Sequence, residues 1–199
     1  MQPLGRSQRL SRLQRGQALV EFALIIPTFL VLVVAIIEFS FLLTAKIGVT
    51  DTSQDAVRYA AELGNTVDAD FDILQLVESE MGPPINKAHI ASVSIFWTDK
   101  DGDNLGAADT YTRGGQFWNS AGTASVPYQQ ITSGYPVSSR CNVLGGIGCA
   151  TGHTGVDWIG VTITYNYSWV TPLPNLVPGL GTAALQFVQT STSRLEPVL

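Results

Sequence analysis

Between Arg15 and Lys46 the chain carries no charged residue except Glu21 and Glu38. An ionised carboxylate at bilayer mid-depth costs at least ~2.5–3.5 kcal/mol on insertion scales, so each of these acids asks for a reason. Glu38 stands near the far end of the stretch, where its carboxylate can reach interfacial water. Glu21 stands at the near end, five residues past Gly16, and is the more informative of the two. Elsewhere, Cys141 and Cys149 bracket the glycine-rich run CNVLGGIGC, open to a disulfide or, with His153 and a fourth ligand, to zinc. Asp99, Asp101 and Asp103 alternate as in a calcium loop. Asn104 and Thr110 then occupy the places of the loop's glycine and glutamate, so an acidic hairpin tip is the simpler reading. His89 and His153 otherwise read as isolated strand or loop residues. No nucleophile elbow, HExxH or phosphate-binding glycine loop is present, so the chain is not expected to be an enzyme or to need a cofactor.

The stretch that holds the two glutamates is the first element to place. Phe22–Ile37 is uncharged, and Phe39–Ala45 extends it past Glu38. A helix of about two dozen residues rises roughly 35 Å, enough to cross a hydrocarbon core of about 30 Å. Leu30–Ile37 is apolar on every face, unlike the single stripe of a soluble core helix. Four arginines (Arg6, Arg9, Arg12 and Arg15) precede the stretch and only Lys46 closely follows it. That asymmetry puts the N-terminus inside and the C-terminus outside. The apolar run is too long for a cleaved secretory signal, and no small-x-small site closes it near Thr44-Ala45. With the C-terminal region outside, a Cys141–Cys149 disulfide is favoured over zinc.

Arg15-Gly16-Gln17 followed by an apolar helix with Glu at its fifth position resembles the processing site of type IV prepilin-like proteins. The wider pattern, Arg15-Gly16, Val20-Glu21-Phe22-Ala23-Leu24, Pro27 and Glu38-Phe39, is similar to the TadE-like family of Tad/Flp pilus systems. The C-terminal runs Tyr165–Trp169, Thr171-Pro172-Leu173 and Arg194-Leu195-Glu196-Pro197 resemble that family's closing strands more loosely. The resemblance implies cleavage after Gly16 by a prepilin peptidase, which would free the α-amine of Gln17. In an assembling filament Glu21 of a neighbouring subunit could pair with that amine, serving registry more than stability. The alternative is ordinary capping and dipole compensation at a helix start. Glu21-Phe22 stands where Flp shaft pilins carry Glu-Tyr, and the chain is far longer than those subunits, which favours a minor pseudopilin. Pro27 is either a simple kink or a weak point that lets the helix stretch on leaving the bilayer. The implied partners are the peptidase, other pilins of the same system and the inner-membrane assembly platform.

The chain has 199 residues, 45% apolar and 14% charged, with 11 basic against 16 acidic side chains and a net charge of −5. That composition excludes a disordered polyelectrolyte and disfavours nucleic-acid binding. The expected organisation is a basic leader at 1–16, a long helix at 17–63 that spans the membrane to about residue 45, and an extracytoplasmic domain at 64–199. In class this is α+β: a long N-terminal transmembrane helix continuing into a small domain with a short second helix and three or four antiparallel strands. The helix keeps a stripe through Val49, Ala56, Ala60 and Leu63, places Arg58 and Glu62 at i,i+4, and stops at Gly64-Asn65. The second helix starts near Asp70, buries Ile73, Leu74, Leu76, Val77 and Met81, and ends at Gly82-Pro83-Pro84. Ala88–Trp97, Ile159–Trp169 and Ala184–Arg194 read as strands. In the second of these, Ile159, Val161, Ile163, Tyr165, Tyr167 and Trp169 share a face. Pro127–Gly155 and Thr171–Gly181 read as loops. Trp97, Trp118 and Trp158 fit either core packing or a partner surface. The function expected is a minor pseudopilin held in the inner membrane; the alternative is an unprocessed, membrane-anchored binding or adhesion module.

Overall fold

The computed structural model describes residues 7–83, 85–177 and 179–198. The elements are α1 (Ser7–Leu63), α2 (Ala69–Glu80), β1 (Ile90–Thr98), β2 (Asn104–Trp118), β3 (Ser125–Thr132), β4 (Trp158–Tyr167), α3 (Leu173–Leu176) and β5 (Leu185–Arg194). The strands form one antiparallel sheet in the order β3-β2-β1-β4-β5. The chain divides into two units. One takes the chain up to Phe41 together with Trp169–Thr182; the other takes Leu42–Ser168 with Ala183–Leu199.

In the second unit, the last third of α1 packs on the sheet through small residues roughly one turn apart. Ala45, Val49, Ser53, Ala56 and Ala60 are all buried. Short side chains let the helix backbone approach closely. Ser53 Oγ accordingly bonds Ser191 Oγ on β5 at 2.9 Å and donates to the Val161 carbonyl on β4 at 3.4 Å. A Cβ at Gly48 would lie 2.0 Å from Ile85 Cδ1, so this glycine is what lets Ile85 seat against α1. The stop at Gly64 is as read from the sequence. Gly64 turns left-handed (φ 57°) and its N–H closes on the Ala60 carbonyl at 3.1 Å. Arg58 pairs with Asp55 at 3.8 Å, not with Glu62; i,i+3 and i,i+4 are equally available on a helix, and both groups are exposed.

The core lies under β1 and β4, whose inward residues alternate. Ile159, Val161, Ile163, Tyr165 and Tyr167 are buried on β4, and Val93 and Ile95 on β1. β4 ends at Tyr167, so Trp169 is not part of its face. Gly160 is buried as well, because the Phe96 ring occupies the place of its side chain, 2.4 Å from an ideal Cβ. α2 covers the sheet with Phe71, Ile73, Leu74 and Val77.

The sheet has five strands among the described residues rather than three or four. β2 escapes a periodicity reading because its inward positions include Asp109 beside Tyr111, and because its register breaks near Gly114 (φ 115°) and Gly115. β3 runs from Ser125 into the stretch from Pro127 that reads as loop-rich. Its Pro127 argues against a central strand, yet β3 is an edge strand, where proline is tolerated, and Val126 and Tyr128 still alternate inward.

Candidate functional site

α1 alone carries Gly16, Gln17, Glu21, Phe22, Pro27 and Glu38, and it passes through Pro27 without interruption. From Gln17 to Leu30 every residue is exposed. Phe22, Ile25, Ile26, Phe29 and Leu30 recur at helical spacing and line a shallow, wholly apolar furrow. In water, a continuous apolar surface of this size calls for lipid or protein against it. The helix from Gln17 is long and apolar enough to cross a membrane, and none of its most apolar window is buried within the chain. Glu21 sits at the head of the furrow. Its Oε1 accepts a hydrogen bond from the Gln17 side-chain amide one turn back, at 3.2 Å. The carboxylate is therefore exposed and lightly held, and the residue beside it is the one that cleavage after Gly16 would make N-terminal.

Glu38 is placed otherwise than the sequence reading expects. It is only 1% exposed, and its carboxylate accepts two backbone N–H groups, from Val170 at 3.1 Å and Thr171 at 2.7 Å. Charge-assisted bonds of this kind supply the partners that a carboxylate within an apolar run needs, without interfacial water. A lone acid in such a run announces that a partner exists. That the partner lies 132 residues further on has no local signature.

The disulfide is present: Cys141 and Cys149 are joined, with Cα atoms 5.4 Å apart. This removes the zinc alternative, since both sulfurs are bonded to each other and His153 is engaged elsewhere. His153 Nδ1 lies 2.6 Å from Asp157 Oδ1, and its ring stacks on Trp97 with centroids 4.4 Å apart. His153 is thus not an isolated loop residue. Asp157 Oδ2 also accepts from Tyr135 Oη (2.9 Å) and from the Cys141 N–H (2.8 Å), so one buried carboxylate ties the whole irregular region together. At the hairpin tip, Asp99 Oδ1 accepts the N–H groups of Asp101 and Asp103, each at 2.9 Å, which holds its carboxyl below the usual range. Asp101 faces Lys100 at 2.7 Å. Of the three acids, it is Asp99 whose carboxylate holds the turn. Among the described residues no group of three or more His, Cys, Asp or Glu side chains is gathered for a metal. Trp97 and Trp158 are half-buried, whereas Trp118 is half-exposed beside a cleft.

That cleft contains a polar cluster that sequence reasoning missed. Asp70, expected as a helix-start residue, is buried and paired with the fully buried Arg140 side chain; its Oδ2 accepts from Tyr111 Oη at 2.7 Å. The Arg140 guanidinium lies 5.2 Å from the Tyr135 ring centroid. Asp109 Oδ1 accepts the Tyr135 N–H at 2.9 Å, and burial pushes the Asp109 carboxyl up from its ordinary range, opposed by that hydrogen bond. Burial and the nearby Asp70 charge likewise raise the Tyr111 phenol. A second cluster on the same sheet centres on Glu78, which pairs with Arg113 and accepts from Tyr128 Oη at 2.8 Å. Both clusters join elements distant in sequence, so neither has a motif.

The bare apolar helix with Glu21 at its head coincides with a family match. Residues 16–58 match the model of the TadE-like protein family. Over that segment the chain is similar to this family. The match takes in Gly16, Glu21, Phe22, Pro27 and Glu38, and it ends within α1. The looser C-terminal resemblance at Tyr165–Trp169 and Arg194–Pro197 lies outside it. A TadE-like segment suggests a Tad pilus-associated protein, and the candidate membrane helix fits a single-pass membrane protein. No curated protein and no solved structure matches the chain.

Proposed function

We propose that this TadE-like protein is a minor pseudopilin of a Tad/Flp-type pilus, cut after Gly16 by a prepilin peptidase and held in the inner membrane by α1. The N-terminus faces the cytoplasm and the sheet unit the extracytoplasmic side. The observation that carries the reading is the coincidence of the TadE-like match with an apolar helix that is exposed throughout Gln17–Leu30 and headed by Glu21. Cleavage would remove the four arginines of the leader and replace them with one ammonium at Gln17. Among the described residues, Glu21 accepts from a neutral amide of its own helix. A neighbouring subunit's ammonium is a stronger partner for that carboxylate in an apolar setting, although desolvation offsets much of the gain. The furrow below Glu21 offers a second helix its packing surface. The sheet unit is read as structural, with no catalytic role assigned to either buried cluster. Other pilins of the system and the assembly platform are the expected partners.

The test is genetic and biochemical. Co-expression with a prepilin peptidase should shorten the chain by the leader, and replacing Gly16 with a bulkier residue should stop this. Glu21→Ala should be cut normally yet leave the protein unable to support piliation. If the Glu21→Ala variant supports piliation fully, the registry role is lost and a tethered binding module becomes the better account.

A further inference from the structure

The unit built on the first part of α1 contains one other segment, Trp169–Thr182. These residues read WVTPLPNLVPGLGT and include no charged side chain. Val170 is 63% exposed, Leu176 49% and Leu180 42%, whereas Leu173 is buried. An irregular segment with this much apolar surface is unusual in contact with water. It is equally unusual in lipid, unless its backbone polar groups are satisfied. Here at least six of the eleven backbone N–H groups have an acceptor. Three positions are prolines and have no N–H. The Val170 and Thr171 N–H groups go to Glu38. Leu173 donates to Thr171 Oγ1, Asn175 to the Pro172 carbonyl, Val177 to that of Leu173, and Leu180 to that of Val177.

The depth of the segment follows from its anchor. About 20 helical residues cross a hydrocarbon core. Counted from Ala18 the core ends at Ile37; counted from Phe22 it ends at Phe41. Glu38 lies within one turn of the outer boundary either way, and the segment bonded to it shares that depth. We propose that Trp169–Thr182 is a membrane-interface segment. It rests at the outer headgroup–acyl boundary of the bilayer that α1 crosses, with Val170, Leu176 and Leu180 against lipid and Glu38 as its pin. The inference rests on the membrane-spanning part of the function proposed above. Its occupant is lipid because the surface is uncharged, apolar and continuous in depth with the exposed face of α1. Trp169 at the segment's start is of the residue type that favours such boundaries.

Both native cysteines are locked in the disulfide, so a single introduced thiol can be labelled selectively. The full chain is reconstituted in phosphatidylethanolamine–phosphatidylglycerol vesicles with a nitroxide at Leu176→Cys or, separately, Leu180→Cys. Leu30→Cys on α1 is the lipid reference and Ala121→Cys in the β2–β3 turn the aqueous one. Accessibility to oxygen relative to a water-soluble nickel chelate is then measured. The proposal expects oxygen-to-nickel ratios at 176 and 180 severalfold above that at 121 and approaching that at 30. Adding Glu38→Gln should drop the 176 ratio toward the aqueous reference, and no change would remove Glu38 as the pin. Ratios at 176 and 180 equal to that at 121, with 30 in lipid, overturn the inference and leave the membrane span intact. Protection from both reagents means protein, such as a second copy, covers the segment, and also overturns it. A label at 30 that reads as aqueous sinks the span and this inference together.

Discussion

Removing the cation from the buried Asp70–Arg140 pair should expose how much of the sheet unit hangs on it. Arg140→Met keeps a long, unbranched side chain in a site where the native one is fully buried. Asp70, 5% exposed, would keep only the Tyr111 hydroxyl at 2.7 Å. Breaking a buried pair by deleting one partner costs about 3–5 kcal/mol, mainly because the surviving charge is left uncompensated. The variant should therefore lose about 3–5 kcal/mol at pH 7, apart from the packing lost over the Tyr135 ring. Arg140→Met combined with Asp70→Asn should recover much of the loss, because no charge is stranded. The assay is urea unfolding of the full chain in mild detergent, followed by tryptophan fluorescence at pH 7. A loss below about 1 kcal/mol, or a double variant no more stable than Arg140→Met alone, would refute the reasoning.

Two further outcomes are expected in the same unit. Asp109 has its pKa raised by burial, with Asp70 adding to the rise and the Tyr135 N–H opposing it. A raised folded-state value favours the protonated form, so its contribution to stability is present at acid pH and lost as pH rises through that value. Asp109→Asn should then raise the urea midpoint at pH 7 and change it little near pH ~4; a lower midpoint at pH 7 would contradict this. Reducing the Cys141–Cys149 bridge, which closes a sequence separation of 8, should lower unfolding stability by roughly 2–3 kcal/mol in the chain-entropy model. A calorimetric or urea comparison of oxidised and reduced protein checks it, and an unchanged transition would show that Asp157 alone holds the loop.

The elements most legible in the sequence were those whose signal is local. The apolar stretch after Gly16 could be read because a helix in lipid has no partner stripe to respect. β4 could be read because strict alternation from Ile159 to Tyr167 admits no helical face. Gly64 marked the end of α1 because only a residue free to turn left-handed closes a helix there cheaply. What stayed hidden depends on long-range pairing. β2 and β3 have inward faces that mix Asp109, Tyr111, Val126 and Tyr128, so burial of polar groups masks their periodicity. Asp70 reads locally as a helix-start acid, while its partner Arg140 lies seventy residues on in the sequence. Glu38 shows both sides. Its position in the apolar run declared a need for a partner, while the identity of that partner required the fold.

Removal of the arginine-bearing leader is the step on which the proposed role most depends. Intact-mass and N-terminal peptide mass spectrometry of the protein recovered from piliated cells tests it directly. The predicted result is a chain beginning at Gln17. Recovery of protein that still carries the leader through Gly16, from cells that make pili, would contradict the account.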